Sequence, residues 1–359
     1  MLSSIAQATY TPQIHFGAKR QDSPAFLTPL HTTRQPQHLE DFANRKPGAD
    51  RNGILNMDIK NLSDRNDWFR IDADYAAMIA RKKEFMAHRK SRKIVSATRP
   101  EGRAGARELL EMMAEHLPEA YPQHFEKQGR ILTNKITGDV FDLDNLPDTP
   151  INIAAQLVQE DLVLIHPDGR GNYRVASGAL CFPSGWSLQE KLGKTIKETH
   201  KPVPGVNTNI GDMINTFLQR LSPKRQSWRI NFLTFSTPEL SVMPDMDALY
   251  PDYNYPESGF DKITKETVGQ LFLRSEREVF TKLPKSGDVL FSLKTYITPF
   301  SELPPETAAQ LVELYSNLPD KFVALYKGWT RQEQQIVVNY LRQRAGIEAP
   351  DGEGLSASA

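Results

Sequence analysis

Alternating apolar and polar residues mark five segments between residues 161 and 300 as β-strands. Alternation with period two places every second side chain on one face of a sheet, and β-branched and aromatic residues are frequent in these segments. The segments are 161–167, 172–183, 228–236, 271–283 and 289–300. The sequence PKSGD joins the last two. Because it contains a glycine and has the length of a hairpin loop, it predicts that these two strands pair antiparallel.

Helical periodicity, with apolar residues three or four positions apart, surrounds and interrupts these strands. Helices are predicted at 72–90, 103–117, 188–200, 209–221, 304–318 and 331–345. In chain order this gives helices, two strands, two helices, three strands and two more helices. Grouped strands and helices, rather than strict alternation, are typical of an α+β fold. We therefore predict a mainly antiparallel sheet with helices on one side and helical extensions at both ends.

The two ends of the chain show no sustained periodicity. Residues 1–55 are rich in Gln, Thr, Pro and Arg, and residues 347–359 are mostly small or acidic. Such segments bury too little apolar surface to offset the entropy lost on folding. We predict an irregular N-terminal segment over 1–55, a single domain over 56–346 and a flexible tail over 347–359.

Charge and composition narrow the class of partner. Lys plus Arg and Asp plus Glu are equal, at 44 each, so a small molecule or a protein is expected rather than nucleic acid or an anionic membrane. The chain lacks a long apolar run and a secretory leader pattern, which predicts a cytoplasmic protein. Its single cysteine, Cys181, excludes an intramolecular disulfide, a four-cysteine zinc site and a self-contained iron–sulfur cluster.

Residues 181–205 contain the densest group of candidate functional residues. The Gly-Lys-Thr triplet at 193–195 resembles the end of a phosphate-binding P-loop, but the glycine required five positions earlier is a leucine here. Lys191 and Lys194 can be interpreted as an anion site or as a solvated helix face. Cys181 lies near a strand end with no base beside it in sequence, which favours a buried thiol over a nucleophile or a thiolate ligand.

His200 is the most informative of the histidines. In a helix over 188–200, Leu192, Ile196 and His200 lie four residues apart on one apolar face, and the prolines that follow end the helix. Two interpretations remain open: a core or helix-capping histidine, or a neutral imidazole that binds iron. One histidine is a poor zinc site, but haem needs only one protein ligand because the porphyrin supplies four. Haem is therefore the metal cofactor that fits, with His166 as the alternative ligand.

Four ordered segments carry a resemblance to a known family. They resemble the haem-dependent oxidative N-demethylase alpha-subunit family, typified by a dimethylamine-oxidising enzyme, and the similarity extends over most of residues 55–330. An ordered series of matches is more specific than any one motif. The segments are INIAAQLVQEDLVLIHPDG, SGALCFPSGWSLQEKLGKTIKETHKPVPG, WRINF and LFLRSEREVFTKLPKSGDVLFSLKTYITP.

This resemblance implies a fold, a cofactor and a reaction. The fold is a PAS-like antiparallel sheet that holds haem b against helices, in an enzyme that uses O2 to demethylate a small alkylamine such as dimethylamine. His200 is implied as the axial iron ligand. The family's element falls here on Thr199, His200, Pro202, Val203, Pro204 and Gly205.

The resemblance also implies reductase and folate-binding partner subunits, which carry flavin, iron–sulfur and tetrahydrofolate groups. The sequence of this chain agrees with the assignment of these cofactors to other subunits. It has no G-x-G-x-x-G dinucleotide motif, and one cysteine cannot hold an iron–sulfur cluster. Electrons for oxygen activation must therefore come from a separate protein.

Strand geometry supplies further candidate residues. With period two, Arg274 and Glu276 share one face of the strand at 271–283, and Arg277 lies on the other. Charges on both faces fit an edge strand with ion pairs, or a site where an arginine meets a haem propionate and Glu276 positions a polar network. Glu276 and Arg277 are the candidate catalytic residues. The candidate haem-binding residues are Trp186, Lys194, His200, Arg229 and Arg274.

An alkylammonium substrate would need a carboxylate or an aromatic face as its partner. Candidates within the matching segments are Glu160, Asp161, Tyr173, Glu276 and Tyr296. The chain departs from the family pattern at Glu278, where glutamine is expected, and this change could alter the substrate. We predict a haem-dependent demethylase. The alternatives are a haem-binding gas sensor without turnover and a structural partner that binds no haem.

Overall fold

A large antiparallel sheet organises the molecule. The computed structural model describes residues 36–44, 58–200, 210–242, 262–318, 323 and 329–348, and every structural statement here concerns these residues. Their strands are β1 (Lys60–Asn61), β2 (Ser96–Thr98), β3 (Phe125–Gln128), β4 (Ile131–Asn134), β5 (Asp139–Asp142), β6 (Asp161–Pro167), β7 (Tyr173–Ala179), β8 (Ser227–Phe235), β9 (Phe272–Lys282) and β10 (Val289–Pro299). Seven of them form one sheet in the order β1-β8-β9-β10-β6-β7-β2, with antiparallel neighbours throughout. The predicted α+β fold is confirmed.

Helices precede, interrupt and follow the strands much as the periodicity predicted. Those described are α1 (Pro36–Ala43), α2 (Tyr75–Ala87), α3 (Arg89–Val95), α4 (Arg103–Ala120), α5 (Pro150–Ala155), α6 (Leu188–Lys191), α7 (Ile196–His200), α8 (Ile210–Arg220), α9 (Pro305–Ser316) and α10 (Arg331–Ala345). Local chemistry sets several ends: a Thr330–Glu333 capping box starts α10, and Gly346 ends it at φ +68°. None of the helices in the described ranges is long and apolar enough to cross a membrane.

The predicted hairpin between 271–283 and 289–300 is also confirmed. β9 and β10 pair over eleven residues each, from Phe272 opposite Pro299 to Lys282 opposite Val289. β9 lies between β8 and β10, inside the sheet. The interpretation of β9 as an edge strand is therefore wrong. Its charged residues are buried on both faces of the sheet, so each needs a partner within the protein.

The continuous helix predicted over 188–200 is wrong. The chain breaks between α6 and α7 at Gly193, whose φ of +79° suits glycine and no ordinary helix position. The extended residues of the break pair with β7, because Val175 N donates to Lys194 O and Gly193 N donates to Val175 O. Leu192 and His200 consequently do not share one helix face, although Ile196 remains a core residue.

Residues 125–142 form a small three-stranded sheet, β3-β4-β5, that the periodicity did not reveal. Each strand has only four residues. Alternation over four residues is too short to distinguish from chance, and the turn glycines Gly129 and Gly138, both at positive φ, are the only strong local signals.

Helices cover both faces of the large sheet, so the prediction that they lie on one side is wrong. The α7 face carries Arg229 and Asn231 of β8 and Arg274, Glu276 and Glu278 of β9, and its apolar part packs against α6, α7 and α8. The opposite surface, the α1 face, carries Ser275 and Arg277 of β9 with Lys294 and Tyr296 of β10, and lies under α1, α2, α4 and α9. This alternation follows from the two-residue period of a strand.

Candidate functional site

His200 ends α7 with one ring nitrogen already engaged. Its Nδ1 lies 2.8 Å from the carbonyl oxygen of Ile196 and 3.0 Å from Thr199 Oγ1. When Nδ1 carries the proton and donates it to the carbonyl, Nε2 holds the lone pair. Among the described residues nothing is hydrogen-bonded to Nε2. This is the second-shell pattern of a metal-bound histidine, in which a carbonyl fixes the tautomer and the ring orientation.

The electrostatic environment keeps the His200 ring neutral. Partial burial lowers the pKa of His200 below its usual value, and the positive charges of Lys191 and Arg229 act in the same direction. Only the hydrogen bond to Ile196 opposes them. A neutral imidazole is the form that binds iron, so the ring has both the tautomer and the charge state that an iron ligand needs. The remainder of the predicted element, 202–205, lies outside the described residues.

Arg229 is one of two cations whose charge acts on the His200 ring, the other being Lys191. Its Nε is 2.8 Å from Glu278 Oε2, and Glu278 is buried while Arg229 is half-buried. Glu278 is also the position at which the resemblance led us to expect glutamine. The carboxylate therefore fixes the guanidinium and neutralises part of its charge before any ligand arrives.

Three candidate residues lie near the α6–α7 break and differ in their exposure to solvent: Trp186, Lys191 and Lys194. Lys191 Nζ donates to Thr199 O at 3.3 Å, and burial lowers the pKa of Lys191. Lys194 is exposed. Trp186 is half-buried against the apolar cluster of the α7 face. The structure thus brings Lys191 and His200 together through α7, while Lys194 faces solvent at the break.

Glu276 is the centre of a buried network on the α7 face. Its Oε1 accepts hydrogen bonds from Ser184 Oγ at 2.9 Å and Arg274 Nε at 3.2 Å, and its Oε2 accepts one from Asn231 Nδ2 at 3.2 Å. The prediction that Glu276 positions a polar network fits this geometry. Asn231, which is half-buried, was not among the candidate residues of the sequence analysis.

Arg274 is fully buried, and its donors are used within the protein. It donates to Phe182 O at 2.6 Å and Leu240 O at 2.7 Å, in addition to its ion pair with Glu276. These bonds clamp the loop after β7 to the segment after β8. A haem propionate would have to replace protein carbonyls to reach this guanidinium, so its position favours a structural role over direct cofactor contact.

Arg277 lies on the α1 face, across the sheet from Glu276. It donates to the carboxylate of Asp67 at 2.9 Å, to Asp67 O at 2.5 Å and to Trp68 O at 3.3 Å, and its guanidinium carbon is 5.6 Å from the Trp228 ring centroid. The two candidate catalytic residues therefore project from β9 in opposite directions. They cannot act in one pocket, and only Glu276 shares a face with Arg229.

Of the alternative iron ligands, Cys181 has surroundings that argue against ligation, whereas His166 has a second-shell oxygen partner as His200 does. His166 Nδ1 lies 2.6 Å from the buried Asp288 Oδ1. Cys181 is fully buried, and burial together with Asp161 raises the pKa of its thiol, which disfavours a thiolate. Within the described ranges no group of three or more His, Cys, Asp and Glu side chains is placed to hold a metal ion.

The predicted substrate-binding residues are dispersed. Asp161 accepts hydrogen bonds from the backbone N–H groups of Cys181 and Phe182, at 2.8 and 2.7 Å, and burial raises its pKa to about 6. Glu160 and Tyr296 lie on the α1 side of the molecule, while Tyr173 packs in the core of the α7 face. Of the five candidates, Glu276 is the one within the network beside Arg229 and Asn231.

A comparison with protein families agrees with the resemblance noted in the sequence. Residues 58–337 match the family described as haem-dependent oxidative N-demethylase, alpha subunit-like. The match covers well over half of the chain, so the chain belongs to this family. The family is named for haem dependence and for an alpha subunit, which connects the chain with haem-dependent oxidoreductase chemistry and with other subunits.

Proposed function

We propose that this member of the family is the haem-binding subunit of an oxidative N-demethylase that acts on a small alkylamine such as dimethylamine. The observation that carries the proposal is the geometry of His200, a neutral imidazole whose Nδ1 is held by the Ile196 carbonyl and whose Nε2 has no hydrogen bond to any residue that the structure describes. An axial iron ligand needs this arrangement, whereas a core histidine usually satisfies both ring nitrogens within the protein.

Sheet topology supports a PAS-like haem domain. When the five long strands β6, β7, β8, β9 and β10 are numbered 1 to 5 in chain order, their order in the sheet is 2-1-5-4-3. This is the order of a PAS-type sheet, and α6, α7 and α8 lie between its second and third strands, where such domains carry their cofactor-binding helices. We further propose one domain over 56–346, because β1 and α10, near its two ends, both pack on this sheet.

Haem b, when bound, supplies reductive activation of O2 for oxidation of a methyl group. In this chain His200 would ligate the iron through Nε2, and Arg229 is the candidate partner for a propionate. Trp186 and Lys194, beside the α6–α7 break, are further candidates for contact with the haem. The amine would be compensated on the α7 face by Glu276, which Ser184, Arg274 and Asn231 already hold in place. A carboxylate fixed before the substrate arrives loses little entropy on binding a cation.

Electrons would come from a separate reductase, and the one-carbon product would pass to a folate-binding partner. Flavin, iron–sulfur and tetrahydrofolate groups are accordingly assigned to partner subunits, since the chain has one cysteine and no dinucleotide motif. A cytoplasmic location fits such an assembly.

Absorption spectra of the purified protein, expressed with a haem supply, test the proposal. We expect a Soret band that shifts, after dithionite and CO, to a ferrous–CO form with histidine ligation. His200→Ala should lower haem retention at least tenfold, and the matched control His166→Ala should leave the spectrum unchanged. A thiolate-type CO spectrum, or unchanged ligation in His200→Ala, would overturn the axial assignment.

Measurement of O2 uptake then distinguishes the enzyme hypothesis from the gas-sensor hypothesis. With a surrogate reductase, the haem-loaded protein should consume O2 in the presence of dimethylamine and release formaldehyde. If the haem iron held by His200 binds CO and O2 but the protein shows no amine-dependent O2 uptake with any of a series of methylamines, the protein would instead be a sensor of the same fold.

A further inference from the structure

The corner between α2 and α3 carries a surplus of positive charge, although the chain as a whole is neutral. Residues 81–93, RKKEFMAHRKSRK, contain seven Lys and Arg residues and one Glu, whereas the whole sequence has 44 charged residues of each sign. Helix α3 has four Lys and Arg residues among its seven and no carboxylate. A local surplus on a neutral chain favours contact with a negatively charged partner.

Four of the seven cations are engaged within the protein. Three of them pair with carboxylates, and the pairs are Arg81–Glu84, Lys83–Asp139 and Arg92–Asp148. The fourth, Lys82, is fully buried and donates to the carbonyl oxygen of Val158 at 3.0 Å. These four residues therefore contribute little to the surplus at the surface.

The other three cations are exposed, and within the described part of the chain they have no hydrogen bond or ion pair. They are Arg89, Lys90 and Lys93, and we call them the α3 basic surface. Helix α3 packs against α2, α6 and β2. Strand β2 has no charged residue, and α6 has one of each sign, Glu190 and Lys191, so neither element offsets the surplus.

The α3 basic surface lies beside the part of the molecule that carries His200. Helix α6 packs against α3 and is joined to α7 by the break at Gly193, and His200 ends α7. Electron transfer between proteins is fast only over short distances. A protein that reduces haem at His200 therefore has to dock close to α6 and α7, where α3 offers it three unpaired positive charges.

We propose that the α3 basic surface is the docking site for the acidic face of the electron-donor protein that reduces the haem of this subunit. This inference rests on the proposed function, because it names the surface that receives the electron donor. Encounters between electron-transfer proteins bury little surface area and depend on complementary charge. The chain itself cannot hold an iron–sulfur cluster with one cysteine, so reduction needs such an encounter.

A second group of exposed cations provides a matched control. Arg220 ends α8, and Lys224 and Arg225 follow it. The other end of α8 contacts α7, because Gly211 lies against Lys197. Along a helix of eleven residues Arg220 is therefore about 15 Å further from α7 than Gly211 is. Reversal of these three charges changes the net charge as much as reversal of the α3 basic surface does.

Stopped-flow reduction of the haem-loaded, full-length protein by reduced flavodoxin, a small acidic electron-transfer protein, tests the surface. For wild type the second-order rate constant should fall about tenfold or more between about 10 mM and about 500 mM NaCl, because salt screens the attraction. The variant with Arg89→Glu, Lys90→Glu and Lys93→Glu should lose about tenfold or more of the rate at low salt. The control with Arg220→Glu, Lys224→Glu and Arg225→Glu should stay within about twofold of wild type.

Reduction by dithionite distinguishes failure of this inference from failure of the proposed function. If dithionite and CO give no ferrous–CO spectrum, the chain holds no reducible haem, and the proposed function fails together with this inference. If dithionite reduces the haem but flavodoxin does not, or does so at a rate that the α3 substitutions leave unchanged, only the docking surface is overturned. Equal losses in the two triple variants would overturn it as well. Binding of DNA or of anionic vesicles that is lost in the α3 variant would assign the surface to a different partner and would also overturn it.

Discussion

Charged and titratable residues have different surroundings on the α1 face of the large sheet and in the part of the α7 face that contains Arg229 and His200. On the α1 face Arg277 and Lys294 are almost completely buried, and both are tied to backbone carbonyls and carboxylates of the segment that follows β1. On the α7 face Arg274 is buried and tied to backbone carbonyls in the same way, but Arg229 is half-buried, and His200 Nε2 has no hydrogen bond among the described residues. The first pattern is typical of charges that hold segments together, and the second of groups that await a ligand.

Removal of Arg277 is expected to have the largest effect and to test this contrast directly. Arg277→Met fills similar volume but removes the cation beside Asp67 and leaves Asp67 O and Trp68 O without donors. Loss of one partner of a buried ion pair costs about 3 kcal/mol of unfolding free energy. Urea denaturation should show this loss, while the haem spectrum stays unchanged.

The matched control for Arg277→Met is Arg130→Met. Arg130 pairs with Glu111 and Asp144 at the surface, with 40% of its side chain exposed, so its loss should lower the unfolding free energy much less than Arg277→Met does. If Arg277→Met retained full stability and lost amine-dependent turnover, Arg277 would belong to the reaction site after all and the contrast between the faces would fail.

The sequence predicted the sheet better than the site, for a physical reason. Strands β6, β8, β9 and β10 begin and end within one or two residues of the predicted segments because alternation over seven to eleven residues is a strong signal. Arg274 and Arg277 were recognised as unusual, but their partners are backbone carbonyls of Phe182, Leu240 and Trp68. No residue pattern encodes such distant carbonyl contacts.

The charges of the α1 face could have been partly anticipated. Ser292, Lys294 and Tyr296 occupy one face of β10 in the sequence, a polar row opposite a face that is mainly apolar. Lys294 donates to Arg70 O and Tyr296 stacks on His38, so the partners of these two residues come from segments more than 200 residues away. The sequence signal was therefore a buried polar row, and only the fold could identify what satisfies it.

Low pH should lower the unfolding free energy, because buried histidines on the α1 side of the molecule resist protonation in the folded state. Burial lowers the pKa of His116 to about 4, and the nearby Arg65 acts in the same direction. A histidine with a lowered folded pKa contributes stability that is fully present above its unfolded pKa, about 6.5, and is lost as pH falls through its folded value. We expect the unfolding free energy to fall between pH 6.5 and 4.

Replacement of His116 measures how much its titration contributes to the pH dependence of the unfolding free energy. His116 packs against Trp68 with ring centroids 5.1 Å apart, and His116→Gln removes its titration. The decrease in stability from pH 6.5 to pH 4 should shrink by about 2 kcal/mol in this variant relative to wild type. His124→Gln, at a half-buried histidine, serves as the control. A pH profile of His116→Gln that is parallel to the wild-type profile would contradict the lowered pKa.

The smallest expected effect concerns the α6–α7 break that orients His200. Gly193→Ala forces a side chain into a left-handed conformation, and its Cβ would lie 3.0 Å from Arg99 Nη1. Gly129→Ala, at φ +59° with open space around the new Cβ, measures the cost of the backbone conformation alone. Each should lose about 1 kcal/mol of unfolding free energy, but only Gly193→Ala should shift the haem spectrum. Equal spectra for the two variants would mean that the break has no part in placing His200, and that α7 is positioned by its packing on β7 and α8 instead.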